Sequence, residues 1–294
     1  MKENSYKSDL LLLITAAIWG FAFVAQRVGM NYIGPYTYNG VRFAFGAISL
    51  IPIMFFRSDK NRKNEKSQKK TYLIYGAIAG VLIFAGSNLQ QIGLIKTQAG
   101  KAGFITDLYI VIVPLIGIVL KKKVAINSWI GAIIAAVGLY FLCVKENFNI
   151  TNSDLVILAS AFVFAIHILF IDHSAQKVNA IKLAFLQYVV CSILSMIAAV
   201  LFENINLIEI FNAGIPIIYG GVFSVGIAYT LQIVGQKNAE PTHASIIMSM
   251  EAAFAAIGGF ILLNEHLSIR AVLGCILMLI GMVVSQVKIF ARNS

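Results

Sequence analysis

Residues 246–263 read IIMSMEAAFAAIGGFILL, eighteen residues in which Glu251 carries the only charge. A helix of about 20 apolar residues spans the roughly 30 Å hydrocarbon core of a bilayer. The stretch therefore reads as lipid-embedded everywhere except at that carboxyl. The rest of the chain is alike. Of 294 residues, 59% are hydrophobic and 12% charged, against about a quarter charged in a soluble domain; mean hydropathy is +0.83. Charge-free runs cover 10–26, 71–95, 124–144, 155–171, 183–202, 210–236 and 271–287. Three further runs hold one charge each: Arg42 in 36–56, Asp107 in 103–120 and Glu251 in 241–263. Ten segments follow: 10–28, 36–56, 72–95, 102–120, 125–144, 154–172, 182–202, 215–236, 241–263 and 267–288. Backbone in lipid must satisfy its own hydrogen bonds, so runs of this length are helices. The expected fold is an all-α polytopic membrane protein with ten transmembrane helices.

The net charge of +10 is explained by where the cations lie. With the N-terminus inside, seventeen Lys and Arg fall on inner loops and ends, seven of them within 57–70 and three at Lys121, Lys122 and Lys123. Four fall outside: Lys96, Lys101, Lys145 and Arg270. The excess of inner-loop cations places both termini in the cytoplasm of a multi-pass cell-membrane protein. It also makes anionic lipid headgroups, and not nucleic acid, the expected partner of the basic loops. Lys2 and Lys7 followed by an apolar run resemble a signal peptide, but the run continues through Val24 and nine more segments follow, so it reads as an uncleaved first helix. Cys143, Cys191 and Cys275 stand singly, with no spacing for a disulfide or a metal. The Asn149-Ile150-Thr151 sequon lies against the membrane and reads as a chance match.

The chain repeats itself. Ser8-Asp9-Leu10 opens the first segment and Ser153-Asp154-Leu155 opens the sixth, 145 residues later. At that offset Arg42 falls on Gln187 and Phe43 on Tyr188. At an offset of 142, Leu89, Gln90 and Gly93 fall on Leu231, Gln232 and Gly235; at 143, Gly131 and Gly138 fall on Gly274 and Gly281. The copies are 1–146 and 147–294, with five helices each. An odd number turns the second copy over, giving two inverted five-helix repeats. Such repeats characterise secondary transporters, whose substrate site lies near the midplane between them. Gly76 and Gly80 form a close-packing GxxxG pattern, which Gly220 and Ser224 echo in the eighth segment.

These residues resemble a known family. Ala17-Ile18-Trp19-Gly20, Asn39-Gly40-Val41-Arg42-Phe43 and Leu108-Tyr109-Ile110-Val111-Ile112-Val113-Pro114 are similar to the first EamA repeat of the drug/metabolite transporter superfamily. Ser249-Met250-Glu251 and Leu263-Asn264-Glu265 are similar to its second copy. The resemblance covers about 8–288. It implies ten helices in a five-plus-five inverted repeat, and transport of small metabolites, often export. Ala252 stands where members often have Pro, and Lys121, Lys122 and Lys123 stand where they often have an acidic residue.

Ionisable groups at the bilayer centre cost roughly 2.5–3.5 kcal/mol on insertion scales and therefore face protein or water. Glu251 lies ten residues into its helix, about 15 Å of rise, at the midplane. It suits a cationic or amino group or a proton; the bland alternative is a structural carboxyl. Arg42 and Asp107 lie at similar depth, and either pair as a structural bridge or leave Arg42 for an anionic substrate group. Arg27 reads as snorkelling to the outer interface. His167 is both donor and acceptor and suits substrate or proton relay, or simple packing. Asn88, Gln90, Gln232 and Tyr229 supply amide and phenol groups to the same zone. Trp19, mid-helix, walls a cavity or packs. Pro114 is expected to kink the fourth segment.

No GxGxxG, P-loop, HExxH, GxSxG or CxxC occurs, so neither an enzyme nor a self-contained ATP-driven pump is indicated, and no cofactor or metal is expected. The reading is a carrier that moves amino acids or related small metabolites, more often outward, by alternating access, coupled to protons or a counter-substrate. Helices 1, 3, 4, 6, 8 and 9 are expected around the site. A channel or carrier for nucleosides, amines or organic anions, and a membrane enzyme or flippase-like protein, are the rival classes.

Overall fold

The computed structural model describes residues 2–56, 62–97, 99–122, 124–143, 150–263 and 268–286. Arg57, Lys60, Lys123, Lys145, Lys288, Arg292, the Asn149 sequon position and the Asn264-Glu265 signature lie outside them. All regular elements described are helical. They are α1 (Lys2–Gly29), α2 (Pro35–Phe56), α3 (Arg62–Leu94), α4 (Ala99–Asp107), α5 (Tyr109–Val119), α6 (Ile126–Cys143), α7 (Asn152–Ser174) and α8 (Ala180–Phe202). There follow α9 (Leu207–Asn212), α10 (Gly214–Ile218), a π-helical stretch (Tyr219–Tyr229), α11 (Thr230–Gln236), α12 (Pro241–Met248), α13 (Glu251–Leu263) and α14 (Ile269–Gln286). Seven spans are long and apolar enough to cross a membrane, and two shorter apolar helices cover Ile126–Leu142 and Ile269–Ser285. The protein is an all-helical, polytopic membrane protein. Its outward faces are apolar: Val119, Phe55 and Val200, for example, are 79%, 79% and 69% exposed.

Local chemistry sets the helix starts. Thr151 and Asp154 form a capping box at α7, and the Asn179 side chain accepts from the amides of Ile181 and Lys182 at α8. Each satisfies amides that have no partner in the first turn. Pro241 opens α12, where its missing N–H costs nothing.

Three expected helices are interrupted. The segment expected over 102–120 breaks at Leu108, between α4 and α5. Pro114, where a kink is expected, lies inside α5, and the break comes six residues earlier. The segment expected over 241–263 breaks at Ser249 and Met250, between α12 and α13. Leu108 and Met250 are 142 residues apart, the offset that relates Gln90 to Gln232. The segment expected over 215–236 carries the eleven-residue π stretch. Hydrogen bonds from α1 brace it: Trp19 Nε1 to the Ser224 carbonyl at 3.2 Å and Thr15 Oγ1 to the Ala228 carbonyl at 3.2 Å, while the Tyr219 hydroxyl donates back to the Ile18 carbonyl at 3.0 Å. π-helical turns recur at functional sites.

Glycines set the helix approach. A Cβ added at Gly131 would lie 2.6 Å from the Gly281 carbonyl oxygen, and one at Gly138 would lie 2.6 Å from that of Gly274; the reverse contacts are equally close. Early residues of α6 thus meet late residues of α14, and the two helices run antiparallel. Further contacts fix other directions. Gly93 meets Ile157 and Gly86 meets Phe164, so α3 and α7 are antiparallel; Gly76 meets Leu186 and Gly80 meets Val190, so α3 and α8 are parallel. Backbone cannot yield as a flexible side chain can. Gly138→Ala and Gly274→Ala are therefore each expected to destabilise by about 1–3 kcal/mol, read as a lower melting temperature in detergent. Gly103→Ala, with nothing within 4 Å of the new carbon, is the neutral control. Equal melting temperatures for all three would refute the tight backbone contact.

Candidate functional site

Seven helical segments converge on one narrow cavity with a volume of about 40 Å³. From α1 come Trp19, Phe23 and Gln26; from α2, Arg42; from α3, Gln90. Helices α4 and α5 give Thr106 and Tyr109, α7 gives Phe164, His167 and Ile168, and the π stretch with α11 gives Ser224, Tyr229 and Gln232. Met248 and Glu251 close it from the α12–α13 break. The α2 contribution through Arg42 adds to the six helices expected.

Of the candidate residues, Glu251, His167, Trp19, Gln90, Gln232, Tyr229 and Arg42 line this space. Asn88 does not. Its amide donates to the Phe84 carbonyl and to Ser195 Oγ, and its oxygen accepts from Asn39, so it ties α3 to α2 and α8. Asp107 is fully buried behind the lining, beside Glu251 and Tyr109, and neither of its carboxyl oxygens has a hydrogen-bond partner among the described residues. Among the described residues Arg42 makes no bridge to it: the guanidinium carbon sits 5.3 Å from the Tyr38 ring centre and 5.2 Å from that of Phe43. The two helix breaks produce the carboxyl pair, since Asp107 ends α4 and Glu251 begins α13.

Tyr229 is the hub of the aromatic wall. Its ring centre lies 4.7 Å from that of Trp19, edge to face, 6.0 Å from Phe43 and 6.5 Å from His167. His167 Nε2 pairs with Gln187 Oε1 at 3.1 Å, so one ring nitrogen is committed to α8. Gln90 donates to Thr106 Oγ1 at 3.2 Å.

The sequence reading passed over Phe23, Gln26, Thr106, Tyr109, Phe164, Ile168, Ser224 and Met248. Spacing was the available signal. Trp19, Phe23 and Gln26 share one helix face, as do Phe164, His167 and Ile168. Repeat offsets were a second signal: Trp19 and Phe23 fall on Phe164 and Ile168 at 145, while Gln90, Thr106 and Tyr109 fall on Gln232, Met248 and Glu251 at 142.

Beyond the cavity, one polar cluster lies toward each end of the bundle. At the end bearing the N-terminus, His243 Nε2 meets Asp9 Oδ1 at 3.1 Å and His243 Nδ1 meets Ser285 Oγ at 2.7 Å. At the opposite end Asp154 takes Lys101 Nζ at 2.5 Å and Thr97 Oγ1 at 3.1 Å. Asp9 and Asp154 are 145 residues apart, and Lys101 and His243 are 142 apart, offsets that recur elsewhere in the sequence.

Comparison with known proteins gives a consistent result. The EamA-like transporter family model matches residues 6–144 and again 151–286. A protein of Archaeoglobus fulgidus described as an uncharacterized transporter is 29% identical over 287 residues, 96% of this chain and 86% of that one. The uncharacterized transporter YoaV of Bacillus subtilis (strain 168) is 24% identical over 281 residues, 94% and 95% of the two chains. A protein solved by crystallography, 15% identical, superposes with a TM-score of 0.76 over 95% of this chain and 96% of its own; at that identity the likeness concerns the fold alone.

Proposed function

We propose a function from one premise: this chain belongs to the EamA-like transporter family. It is a secondary carrier that moves small polar or amphipathic metabolites, amino acids or related compounds, across the cell membrane by alternating access, with export as its working direction. The observation that carries this reading is the lining of the cavity, to which 1–146 and 147–294 both contribute, in part through residues at matching offsets. A cavity shared in this way is what two inverted repeats build at their common axis. The antiparallel α6–α14 contact, in which Gly131 meets Gly281 and Gly138 meets Gly274, supports the same arrangement. So does the double family match. Counting α4–α5, α10–α11 and α12–α13 as one crossing each gives ten crossings, five per copy.

The N-terminal end is assigned to the cytoplasm from the inner-loop cations. The Asp9–His243 cluster then lies on the cytoplasmic side and the Asp154–Lys101 cluster on the outer side. Both are engaged, and each is placed to hold its own end closed. Protons or a counter-substrate supply the coupling. Glu251, His167, Arg42, Gln90, Gln232, Tyr229 and Trp19 are the proposed contacts, with Asn88 and Asp107 acting behind them.

The test is flux in proteoliposomes with radiolabelled amino acids, amines, nucleosides and organic acids. The expected result is saturable flux stimulated by the same solute on the opposite side. Non-saturating conductance without counterflow points to a pore and overturns the carrier. Export is checked with inside-out cell vesicles, which should accumulate the solute that intact cells expel.

A further inference from the structure

Two features of the cavity have opposite charge and leave each other alone. Arg42 is 2% exposed. Among the described residues its guanidinium makes neither an ion pair nor a hydrogen bond, and its Nε is buried without a partner. Its nearest company is the Tyr38 and Phe43 rings. A guanidinium so placed keeps its planar fork of donors for an oxyanion, which it binds through two parallel hydrogen bonds. Elsewhere in the lining Glu251 is 5% exposed and backed by Asp107, which is fully buried. No cation pairs with either carboxyl among the described residues. Two carboxyl groups in contact and out of water call for a proton or a cationic guest.

An uncompensated charge away from water is costly. A guest carrying one charge relieves one pole and leaves the other. A guest carrying both relieves both and adds no net charge to the cavity. Arg42, Glu251 and Tyr229 line the same cavity, and the Phe43 ring that Arg42 lies against is 6.0 Å from the Tyr229 ring. A second kind of observation points to a ligand as well: Gln232, 2% exposed, lines the cavity with its Oε1 buried and unpartnered, as does Gln26. These carbonyl oxygens are acceptors for a further N–H. Phe23, Phe164, Ile168 and Met248 add an apolar wall.

We infer that the cavity is a two-pole site for a zwitterion, with Arg42 receiving the carboxylate and the Glu251–Asp107 pair receiving the ammonium group. The inference rests on the carrier reading and narrows its substrate to amino acids with an apolar or amphipathic body.

The test uses the wild-type protein in detergent and measures its thermal stabilisation. The probes are the standard L-amino acids, a series of ω-amino acids that draws the two charges apart, and three analogues of each L-amino acid that stabilises. The methyl ester lacks the anion, the deaminated acid lacks the cation, and the decarboxylated amine again lacks the anion. At least one zwitterion should bind, and each analogue should bind about 10–100-fold more weakly, the scale of a lost charge-assisted interaction. Arg42→Gln, which copies the Gln187 found at the matching position of the second repeat, should bring acid and ester within about threefold of each other. If that variant does not fold, the wild-type comparison decides alone. Binding of esters, amines or carboxylic acids as tight as that of the zwitterions overturns the inference, as does stabilisation by no zwitterion. The flux assay separates the two readings. Saturable counterflow of singly charged or neutral solutes removes the two-pole site and leaves the carrier, whereas non-saturating conductance removes the carrier.

Discussion

Glu251→Gln lowers the kcat/KM of transport by about 10–150-fold, the equivalent of roughly 1.5–3 kcal/mol for a hydrogen bond to a charged group, while the protein still inserts and folds. Asp107→Asn costs much less. The asymmetry follows from position. Glu251 lines the cavity, and replacing it removes the charge that a cationic group would meet. Asp107 is buried behind it, beside Glu251 and Tyr109. An asparagine there can donate to Glu251, so the charge facing the cavity survives. Glutamine at 251 is nearly the same size as glutamate, so packing against α1 is kept: a Cβ added at Gly20 would lie 2.7 Å from the Glu251 carbonyl oxygen, a contact of backbone and not of the changed side chain. Both variants are measured in proteoliposomes beside their melting temperatures. Equal losses, or a larger loss from Asp107→Asn at unchanged stability, would show the buried member of the pair to be the one that matters, and the assignment of Glu251 would fail.

The helical crossings were legible because the cost of unpaired backbone in lipid is written directly into hydropathy. Asp9 and Asp154, Gln90 and Gln232, and four glycines keep nearly constant offsets, in a chain that the family model matches twice, over 6–144 and 151–286. The breaks were not legible. Neither Leu108 nor the Ser249-Met250 pair includes a proline or glycine, and Pro114 lies inside α5, away from the break. The π stretch has no proline to mark it either, and it bonds to donors and acceptors presented by α1, some 200 residues away. The carboxyl pair could not be foreseen without these breaks, because Asp107 and Glu251 meet only where two helices end and begin. A charge in lipid signals that it must be accommodated and does not say by what. Asn88 shows the same limit. Inward polar residues arise from cavity lining and from helix-to-helix hydrogen bonding alike, and composition cannot separate Asn88, which ties α3 to α2 and α8, from Gln90 two residues on, which lines the cavity.

The two end clusters carry the second large prediction. Asp154→Asn opens the cavity to the outside, and Asp9→Asn opens it to the cytoplasm. Each carboxylate joins two helical regions, Asp154 the start of α7 to the Thr97–Lys101 region and Asp9 the N-terminal part of α1 to the start of α12, at opposite ends of the bundle. Neutralising one weakens only its own end, and the conformations shift toward the state open there. Loss of a charged hydrogen bond is enough to move such a two-state balance by about 10–150-fold. The reporter is Ser224→Cys, at a small residue lining the cavity, in a chain whose Cys143, Cys191 and Cys275 are replaced by alanine. A membrane-impermeant maleimide is applied to intact cells and to inside-out vesicles. Asp154→Asn should speed labelling in cells and slow it in inverted vesicles, and Asp9→Asn should do the reverse. Lys101→Met and His243→Gln, which remove the partner instead of the carboxylate, should repeat the two patterns. If all four variants speed labelling from the same side, the clusters are not opposed closures of one pathway, and the matched offsets between them reflect ancestry without a shared mechanical role.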